Sequence, residues 1–434
     1  MFQYIKDKKI AINTLGCKVN QYESDSMVDM LASHGCEIVS FQETADVYII
    51  NTCAVTNMAE RKSRQIIHRA KKQNPDAVIV VTGCYVQSER EAVETDEVVD
   101  LIIGNNRKNE IARILNSFFE NKLPEDNYVE IADEKEYESM WLIKPHEHTR
   151  AYVKVQDGCN NFCSYCIIPY TRGRIRSRAL CEVVKEITNL TQNGIREVVL
   201  TGINLSSYQD QDMDLLDLIQ SVSKIEGLWR IRLGSLEPRI ITERFLEGIY
   251  QDKKVCPHFH LSLQSACNAT LKRMNRHYTI EEYIEKCAMI RKYFDRPAIT
   301  TDIIVGFPGE TDEEFAITEQ NLRELSLYEM HIFKYSRRKN TVADRMPNQV
   351  SDALKEARSN CLLQMTATQK QDFENSFAEQ KVSVLVEEIV KEDGKLYMKG
   401  HTDRYILVKQ EIESEHNVEI NSLVDVIYKK NKKN

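Results

Sequence analysis

The sequence has no long hydrophobic run and no excess of basic residues, and both absences narrow its function. No apolar stretch approaches the ~18 residues that a transmembrane helix needs, and residues 1–9 contain no signal-peptide core. The net charge of −8 argues against bulk electrostatic binding of nucleic acid. We therefore expect a cytoplasmic protein, away from membranes, that binds any polyanion through local basic patches.

Cysteine, in contrast, is plentiful, with 12 in a chain of 434 residues. In a large chain without an export signal, cysteines indicate metal binding or redox chemistry and not a disulfide scaffold. The length predicts two to four domains.

Three of the cysteines, Cys159, Cys163 and Cys166, form a Cys-x3-Cys-x2-Cys run. Three such thiolates can bind three irons of a cubane cluster and leave the fourth iron open, whereas ferredoxin-type carriers close all four irons with cysteine. A structural zinc site prefers four ligands, usually in paired Cys-x2–4-Cys units. The run favours an open iron–sulfur site, with zinc or unclustered loop cysteines as alternatives.

The first predicted domain, residues 1–143, alternates short apolar strands with helices, so we expect an open parallel α/β sheet covered on both faces. The predicted strands are residues 9–15, 47–51, 77–82 and 101–104, and the predicted helices include residues 20–34 and 58–73.

A second group of cysteines follows these strands. Cys17, Cys53 and Cys84 come directly after the first, second and third strand. Ligand crevices form at the carboxyl ends of strands in open α/β sheets, so the three thiols are predicted to meet at one edge. Three buried core cysteines are the alternative.

The second predicted domain, residues 144–374, repeats a strand–helix unit six times and predicts a partial (βα)6 barrel. Functional residues on such a scaffold belong at the carboxyl ends of the strands. The strands are predicted to start near Ala151, Glu197, Arg230, His258, Ile299 and Tyr328. The polar or glycine residues after them are candidate ligand contacts: Thr201, Gly202, Asn204, Ser235, Gln264 and Asp302.

The third predicted domain, residues 375–434, contains four or five short strands and predicts a small β-barrel. Arg404 and Tyr405 place a basic residue beside an aromatic ring, a pair that can stack on an unpaired base.

The stretch of residues 157–174, which holds the Cys-x3-Cys-x2-Cys run, resembles the signature of the radical S-adenosylmethionine (SAM) methylthiotransferases. The resemblance implies that the open iron of a [4Fe–4S] cluster binds SAM, and that an electron cleaves SAM to methionine and a 5′-deoxyadenosyl radical. Tyr165 occupies the position whose backbone contacts the SAM adenine in this family.

Two further segments extend the resemblance. Residues 14–20, 51–55 and 83–85 look like the three cluster-binding motifs of the family's amino-terminal domain. They imply a second [4Fe–4S] cluster on Cys17, Cys53 and Cys84 whose free iron carries the sulfur to be transferred. Residues 399–405 resemble the TRAM domain, an RNA-binding β-barrel.

The family has three branches, which modify isopentenyladenosine in tRNA, an aspartate of a ribosomal protein, or threonylcarbamoyladenosine 37 of tRNA. Lys18 and Val19 depart from the Gln-Met of the first branch, and residues 51–65 look like the third. The resemblance therefore implies methylthiolation at C2 of threonylcarbamoyladenosine 37. The other branches, and a non-catalytic metal-stabilised RNA-binding protein, are the alternatives.

This reaction implies the tRNA anticodon loop, an electron donor and a sulfur source as partners. The threonylcarbamoyl group carries a carboxylate, so an arginine is predicted to meet it by bidentate pairing. Arg172, Arg174 and Arg176 are the candidates. No side chain is assigned as a general base.

Overall fold

The computed structural model of the chain describes residues 2–122, 127–146, 149–413 and 418–429. The strands of its first segment are β1 (Lys9–Thr14), β2 (Glu37–Ile38), β3 (Val47–Thr52), β4 (Val78–Gly83) and β5 (Leu101–Ile103). They pair in parallel in the order β2-β1-β3-β4-β5, which confirms the predicted sheet. Strand β3 is buried along its whole length because helices cover both faces.

The helices of this segment are α1 (Lys18–Ser33), α2 (Asn57–Gln73), α3 (Cys84–Ser88), α4 (Arg90–Glu94) and α5 (Ile111–Phe119), with a 3-10 turn at Lys108–Glu110. Helix α2 begins at a cap, since the Thr56 hydroxyl accepts from the Ala59 N–H. Helix α1 begins two residues before the predicted start, directly after Cys17.

The second segment adds β6 (Ala151–Asp157), β7 (Arg176–Ser177), β8 (Glu197–Gly202), β9 (Gln209–Asp210), β10 (Met213–Asp214), β11 (Arg230–Leu233), β12 (His258–His260), β13 (Ala298–Val305) and β14 (Glu329–Lys334). The parallel strands follow the order β6-β8-β11 and then β12-β13-β14, which confirms the predicted partial barrel. Between β11 and β12 the ladder is reduced to isolated parallel bridges, beside Pro257, which has no N–H to donate.

Helices connect these strands on the outside of the barrel. They are α6 (Ile168–Thr171), α7 (Leu180–Gln192), α8 (Leu215–Ser223), α9 (Glu243–Tyr250), α10 (Asn268–Arg273), α11 (Ile280–Tyr293), α12 (Asp312–Leu325) and α13 (Asp352–Asn375). Single 3-10 turns lie at Leu205–Ser207, Pro238–Ile240 and Ala343–Arg345. Capping boxes begin α8, α11 and α12.

The third segment is an antiparallel sheet of β15 (Lys381–Glu392), β16 (Lys395–Thr402), β17 (Leu407–Ile412) and β18 (Leu423–Ile427). Its order is β17-β16-β15-β18, and a register shift between Val386 and Glu388 bends β15. The predicted small barrel is present as this curled half-barrel. Residues 414–417 and 430–434 of the prediction lie outside the described residues.

A buried ion network joins the first two segments. On α1, Glu23 pairs with Lys108 at 2.9 Å, with Lys154 at 3.0 Å and with Arg172. On β6, Asp157 lies 3.2 Å from Lys154 and 3.3 Å from Arg172. Burial alone would raise the pKa of Glu23, but these three cations outweigh it and hold the pKa well below its usual range. Glu23 therefore stays ionised and ties α1 to the barrel.

Replacing Glu23 by Gln is expected to destabilise the protein by about 3–5 kcal/mol, because it leaves buried cations without their counter-charge. Urea unfolding followed by circular dichroism measures the change. Glu285→Gln, at an exposed position on α11, is the control and is expected to stay within about 0.5 kcal/mol of wild type. Equal stability of the two variants would contradict the role of the network.

The same ion network predicts that the stability of the folded protein depends on pH. A carboxylate with a lowered folded pKa stabilises the fold above its unfolded pKa, about 4.3 for Glu, and loses that contribution as the pH falls through the folded value. The stability gap between wild type and Glu23→Gln is therefore full at about pH 7 and narrows below about pH 4. Urea titrations across this range measure the gap, and a constant gap down to about pH 3 would oppose the assignment.

Candidate active site

The carboxyl edge of the first sheet lies beside the second segment. Cys17 and Lys18, just after β1, are accessible to solvent although protein surrounds them. The charges that act on Lys18 include Arg150, Arg232 and Asp302 of the second segment. This edge of the sheet therefore lies close to the barrel.

The first thiol trio lies at this edge. Gly16 has a φ of +108°, and a Cβ atom there would lie 3.2 Å from the Sγ of Cys53, so the turn before Cys17 touches the second cysteine. Cys84, the first residue of α3, acts electrostatically on both Cys17 and Cys53. The structure thus brings together three thiols that follow three different strands.

Burial affects the protonation of two thiols of this trio. It raises the pKa of Cys53 to about 12, and it also raises the pKa of Cys17. In the metal-free protein these two thiols are therefore protonated at neutral pH. Thiolates are the metal ligands, so metal binding at this trio releases protons.

The second thiol trio lies in the loop after β6. The backbone N–H of Asn161 donates to the Sγ of Cys159 across 3.4 Å, and the guanidinium of Arg276 donates to the Sγ of Cys163 across 3.2 Å. Burial, with a smaller contribution from Cys163, raises the pKa of Cys166 to about 12. Burial also raises the pKa of Cys159, so metal binding at Cys159 and Cys166 releases protons.

Each trio has a buried arginine beside one sulfur, and a glutamate holds each arginine. Arg276 lies 2.9 Å from Glu237, and Arg172 lies 3.1 Å from Glu23. The Nε of Arg172 donates to the Sγ of Cys84 across 3.3 Å. A guanidinium at this distance stabilises negative charge on sulfur, so both sites fit an anionic group held by thiolates.

Neither trio is compact enough for a single metal ion. Two thiolates on one zinc lie no farther apart than about 4.6 Å, twice the Zn–S bond of ~2.3 Å. Within the described ranges, the group of three His, Cys, Asp or Glu residues whose ligand atoms all lie within 4.8 Å of one another is His260, Asp302 and His331. A cluster in which each thiolate binds its own iron does not require the three sulfurs to meet at one ion.

A cavity of about 280 Å³ opens beside Cys163, with Asn161, Glu237, Arg276 and Asn204 in its wall. The buried Oδ1 of Asn204 has no hydrogen-bond partner among the residues that the structure describes, so it is available to a ligand.

Two other predicted contacts at the end of β8 are more confined. Thr201 is buried, and a Cβ atom at Gly202 would lie 2.8 Å from the Oε1 of Gln156. That oxygen accepts from the backbone N–H of Asn204 across 2.7 Å, so Gln156 fixes the turn that presents Asn204.

The remaining predicted contacts lie in the loops that follow β11, β12 and β6. The Ser235 hydroxyl is 2.8 Å from that of Ser262. Gln264 has a φ of +72°, and Tyr165 packs edge-on against Phe307 with ring centroids 6.3 Å apart.

Asp302 belongs to a row of polar residues on three adjacent strands. Its carboxylate lies 3.3 Å from the Nε2 of His260 on β12, and it pairs in register with His331 on β14. The rings of the two histidines stack at 5.9 Å.

The three arginines predicted to meet the substrate carboxylate have different surroundings. Arg172 is fully buried in the ion network. Arg176 is buried, donates to the carbonyl of Arg172 and lies 3.8 Å from Asp157. Arg174 is exposed and covers the ring of Phe162 at 4.6 Å. A carboxylate contact from this group stays a prediction.

Arg404 and Tyr405 lie where the half-barrel meets the barrel. Arg404 donates to the carbonyl of Arg296 across 2.9 Å. The ring of Tyr405 stacks between His401 at 4.3 Å and His258 at 5.5 Å. Base stacking by this pair also stays a prediction.

The sequence did not predict the roles of Arg276, which donates to Cys163 of the second trio, and of Glu237, which pairs with Arg276. Arg276 lies 113 positions after Cys163 in the chain, and no spacing rule connects them. The charges around Lys18, which include Arg150 and Arg232 of the second segment, follow from the packing of two segments.

Comparison with known proteins assigns the family. Residues 9–104 match the family described as "Uncharacterized protein family UPF0004", and residues 153–321 match the radical SAM superfamily. The threonylcarbamoyladenosine tRNA methylthiotransferase MtaB of Bacillus subtilis (strain 168) is 38% identical over 92% of this chain and 89% of its own length. The chain belongs to the radical SAM methylthiotransferase family.

Two other relatives show the range of this family. MtaB of Aquifex aeolicus (strain VF5) is 39% identical over 93% of this chain and 97% of its own length. The tRNA-2-methylthio-N(6)-dimethylallyladenosine synthase of Alkaliphilus oremlandii (strain OhILAs) is 36% identical over 93% of this chain and 87% of its own length. For a radical SAM methylthiotransferase, SAM and a [4Fe–4S] cluster are implied.

Solved structures agree on the fold. The radical SAM methyltransferase TsrM from Kitasatospora setae, bound to tryptophan and a SAM analogue, has a TM-score of 0.58 at 14% identity, covering 75% of this chain and 73% of that one. In the part of this methylthiotransferase that the structure describes, no helix has both the length and the hydrophobicity to cross a bilayer.

Replacing Arg276 by Met is expected to shift the reduction potential of the [4Fe–4S] cluster that is predicted to bind Cys159, Cys163 and Cys166 to a more negative value. The variant removes a positive charge beside a cluster ligand, which makes adding an electron harder. A potentiometric titration of anaerobically reconstituted protein, read by electron paramagnetic resonance, measures the shift. Arg239→Met, in the wall of the same cavity, is the matched control. Equal potentials for both variants would reject the role of Arg276.

Proposed function

We propose that this protein is a tRNA methylthiotransferase that adds a methylthio group at C2 of N6-threonylcarbamoyladenosine 37. The observation that carries the proposal is the pair of thiol trios at facing strand edges, each with a buried arginine beside one sulfur. The substrate follows the names of relatives that are 38% and 39% identical.

In this proposal Cys159, Cys163 and Cys166 hold the [4Fe–4S] cluster that binds SAM, with Tyr165, Thr201, Gly202, Asn204, Ser235, Gln264 and Asp302 as candidate contacts. Cys17, Cys53 and Cys84 hold a second [4Fe–4S] cluster. When bound, these groups supply the radical, the electron and the sulfur that side chains cannot provide.

The side chains of the protein position the base, exclude water from the site and stabilise the negative charge of the sulfur ligands. Arg172 and Arg276 stabilise the negative charge of the sulfur ligands, and the two facing edges hold the base between both sites. Enclosure by the barrel excludes water from reactive intermediates. No side chain is required as a general base.

The third segment would contact the anticodon loop, with Arg404 and Tyr405 at its junction with the barrel and Arg174 at the surface. The domain limits of 1–143, 144–374 and 375–434 belong to this proposal. An electron donor and a sulfur source complete the reaction, and a reducing cytoplasm suits twelve free cysteines.

Dimethylallyladenosine is the second candidate substrate, because a relative 36% identical over 93% of the chain carries that name. The two substrates differ only in the N6 group, so product analysis separates them.

Nucleoside mass spectrometry of tRNA from cells with and without this protein tests the substrate. We expect 2-methylthio-threonylcarbamoyladenosine to disappear when the protein is removed and to return when it is restored. If only the dimethylallyl product responds, the second candidate replaces the first. If neither responds, the proposed function is wrong.

Alanine variants of each trio test which trio is needed for SAM cleavage and which is needed for methylthio transfer. Replacing Cys17, Cys53 and Cys84 is expected to abolish the methylthio product while SAM cleavage continues. Replacing Cys159, Cys163 and Cys166 is expected to abolish both. The assays measure 5′-deoxyadenosine and modified nucleoside with reconstituted enzyme. A methylthio product from the first variant would refute the assigned sulfur site.

A further inference from the structure

Three side chains on adjacent strands of the barrel have the composition of a metal site. They are His260 on β12, Asp302 on β13 and His331 on β14. One ligand atom from each of them lies within 4.8 Å of the other two. Imidazole and carboxylate are ligands that zinc and related divalent transition metals take in proteins. The group contains no cysteine and is separate from the two thiol trios.

The register of the strands places these side chains next to one another. Asp302 pairs with His331, and His260 pairs with Thr300, two residues before Asp302. Residues two apart on a strand point to the same face, so the three side chains share one face of the sheet. The stacked histidine rings lie on either side of the carboxylate-bearing strand.

That face is turned away from the hydrophobic core. Phe259, Ile303 and Met330 each follow or precede one of the three residues, and all are buried in the core that the outer helices cover. Successive residues of a strand point to opposite faces, so the three polar side chains line the inside of the barrel. His331 is exposed, and the other two are partly accessible, so an ion can reach the group from solvent.

The spacing within the group fits a single ion. The Nε2 of His260 lies 3.3 Å from the Oδ2 of Asp302. Two ligands at ~2.1 Å from one tetrahedral zinc ion lie about 3.4 Å apart. The pair therefore already has the separation that a shared ion requires. Rotation of the exposed His331 ring about its side-chain bonds brings its nitrogen to the same distance.

A hydrogen bond orients the ring of His260. Its Nδ1 lies 3.0 Å from the hydroxyl of Thr300, a buried residue. With the proton on Nδ1, the ring donates to this hydroxyl and turns the lone pair of Nε2 toward the Asp302 carboxylate. A cation between those two acceptors stabilises this arrangement. Histidines that bind metals commonly have such a partner on their other ring nitrogen.

We propose that His260, Asp302 and His331 bind one divalent transition-metal ion, for which zinc is the test ion. Three protein ligands leave one position of a tetrahedral ion open, as in catalytic zinc sites. That position faces the inside of the barrel and takes water or another oxygen ligand. The site is additional to the iron–sulfur chemistry and does not depend on the proposed function. It gives Asp302 a metal as its partner, in place of the SAM contact predicted from the sequence.

The zinc content of the full-length enzyme, with its clusters reconstituted anaerobically, tests the site. Each protein is dialysed to equilibrium against buffered Zn²⁺, and its zinc and iron are measured by mass spectrometry. Wild type is expected to hold one more zinc per chain than Asp302→Asn or His331→Gln, because each variant removes a ligand. The thiol trios are the same in all three proteins, so the difference excludes zinc bound to cysteine. Circular dichroism checks the fold, which the change at exposed His331 is expected to leave intact.

X-ray absorption at the zinc edge identifies the ligands. The zinc that distinguishes wild type from the variants is expected to have nitrogen and oxygen neighbours at ~2.0–2.1 Å, whereas thiolate sulfur lies at ~2.3 Å.

Thr300→Val keeps all three ligands and removes the hydrogen bond to His260. It is expected to raise the Kd for zinc about 10–100-fold, since loss of a partner that orients a ligand weakens metal binding by that amount. Titration against a competing chelator measures the Kd.

His68→Gln is the matched control. His68 lies 2.9 Å from Asp96, but within the described ranges this pair is not part of a three-residue group. The variant is expected to keep the zinc content and the Kd of wild type.

Two results would overturn the inference. Equal zinc in wild type, Asp302→Asn and His331→Gln would show that the group holds no metal. Sulfur as the sole neighbour of the bound zinc would place the ion on cysteines. Neither result bears on the proposed function, because neither measures methylthiolation, and nucleoside analysis of tRNA tests that function separately.

Discussion

The arrangement of the whole site depends on the buried ion network around Glu23. One carboxylate on α1 and one on β6 hold cations from both segments, and removal of either would leave buried charge unpaired. The network fixes the edge of the first sheet against the mouth of the barrel. Through Arg172 it also reaches the Sγ of Cys84, so the contact that joins the segments also sets the charge beside the first trio.

The two thiol trios share two electrostatic features: thiols whose pKa is raised by burial, and an arginine beside one sulfur. Burial raises the pKa of Cys53 and of Cys166 to about 12, which opposes thiolate formation in the empty protein. A buried arginine at each site favours negative charge once a cation has displaced the protons. Each site is therefore suited to a metal-bound anion.

The two α/β segments and the positions of the cysteines at strand ends were predictable from local sequence signals. Apolar strands followed by cysteine predicted the thiols at one edge of the first sheet, and the strand–helix repeat predicted the partial barrel, because both signals act over a few residues. Contacts between distant positions were not predictable. Glu23 and Arg172 are separated by 149 positions, and Arg276 and Cys163 by 113, so only the packed structure reveals that these arginines serve the sulfur sites. Arg172 looked like a substrate contact because its burial has no signature in the sequence.

Anomalous diffraction at the iron edge from anaerobically reconstituted crystals tests the central claim most directly. The account predicts two iron clusters, one on Cys17, Cys53 and Cys84 and the other on Cys159, Cys163 and Cys166, facing each other across the cavity. A single cluster on the second trio, with the first trio free of iron, would contradict it.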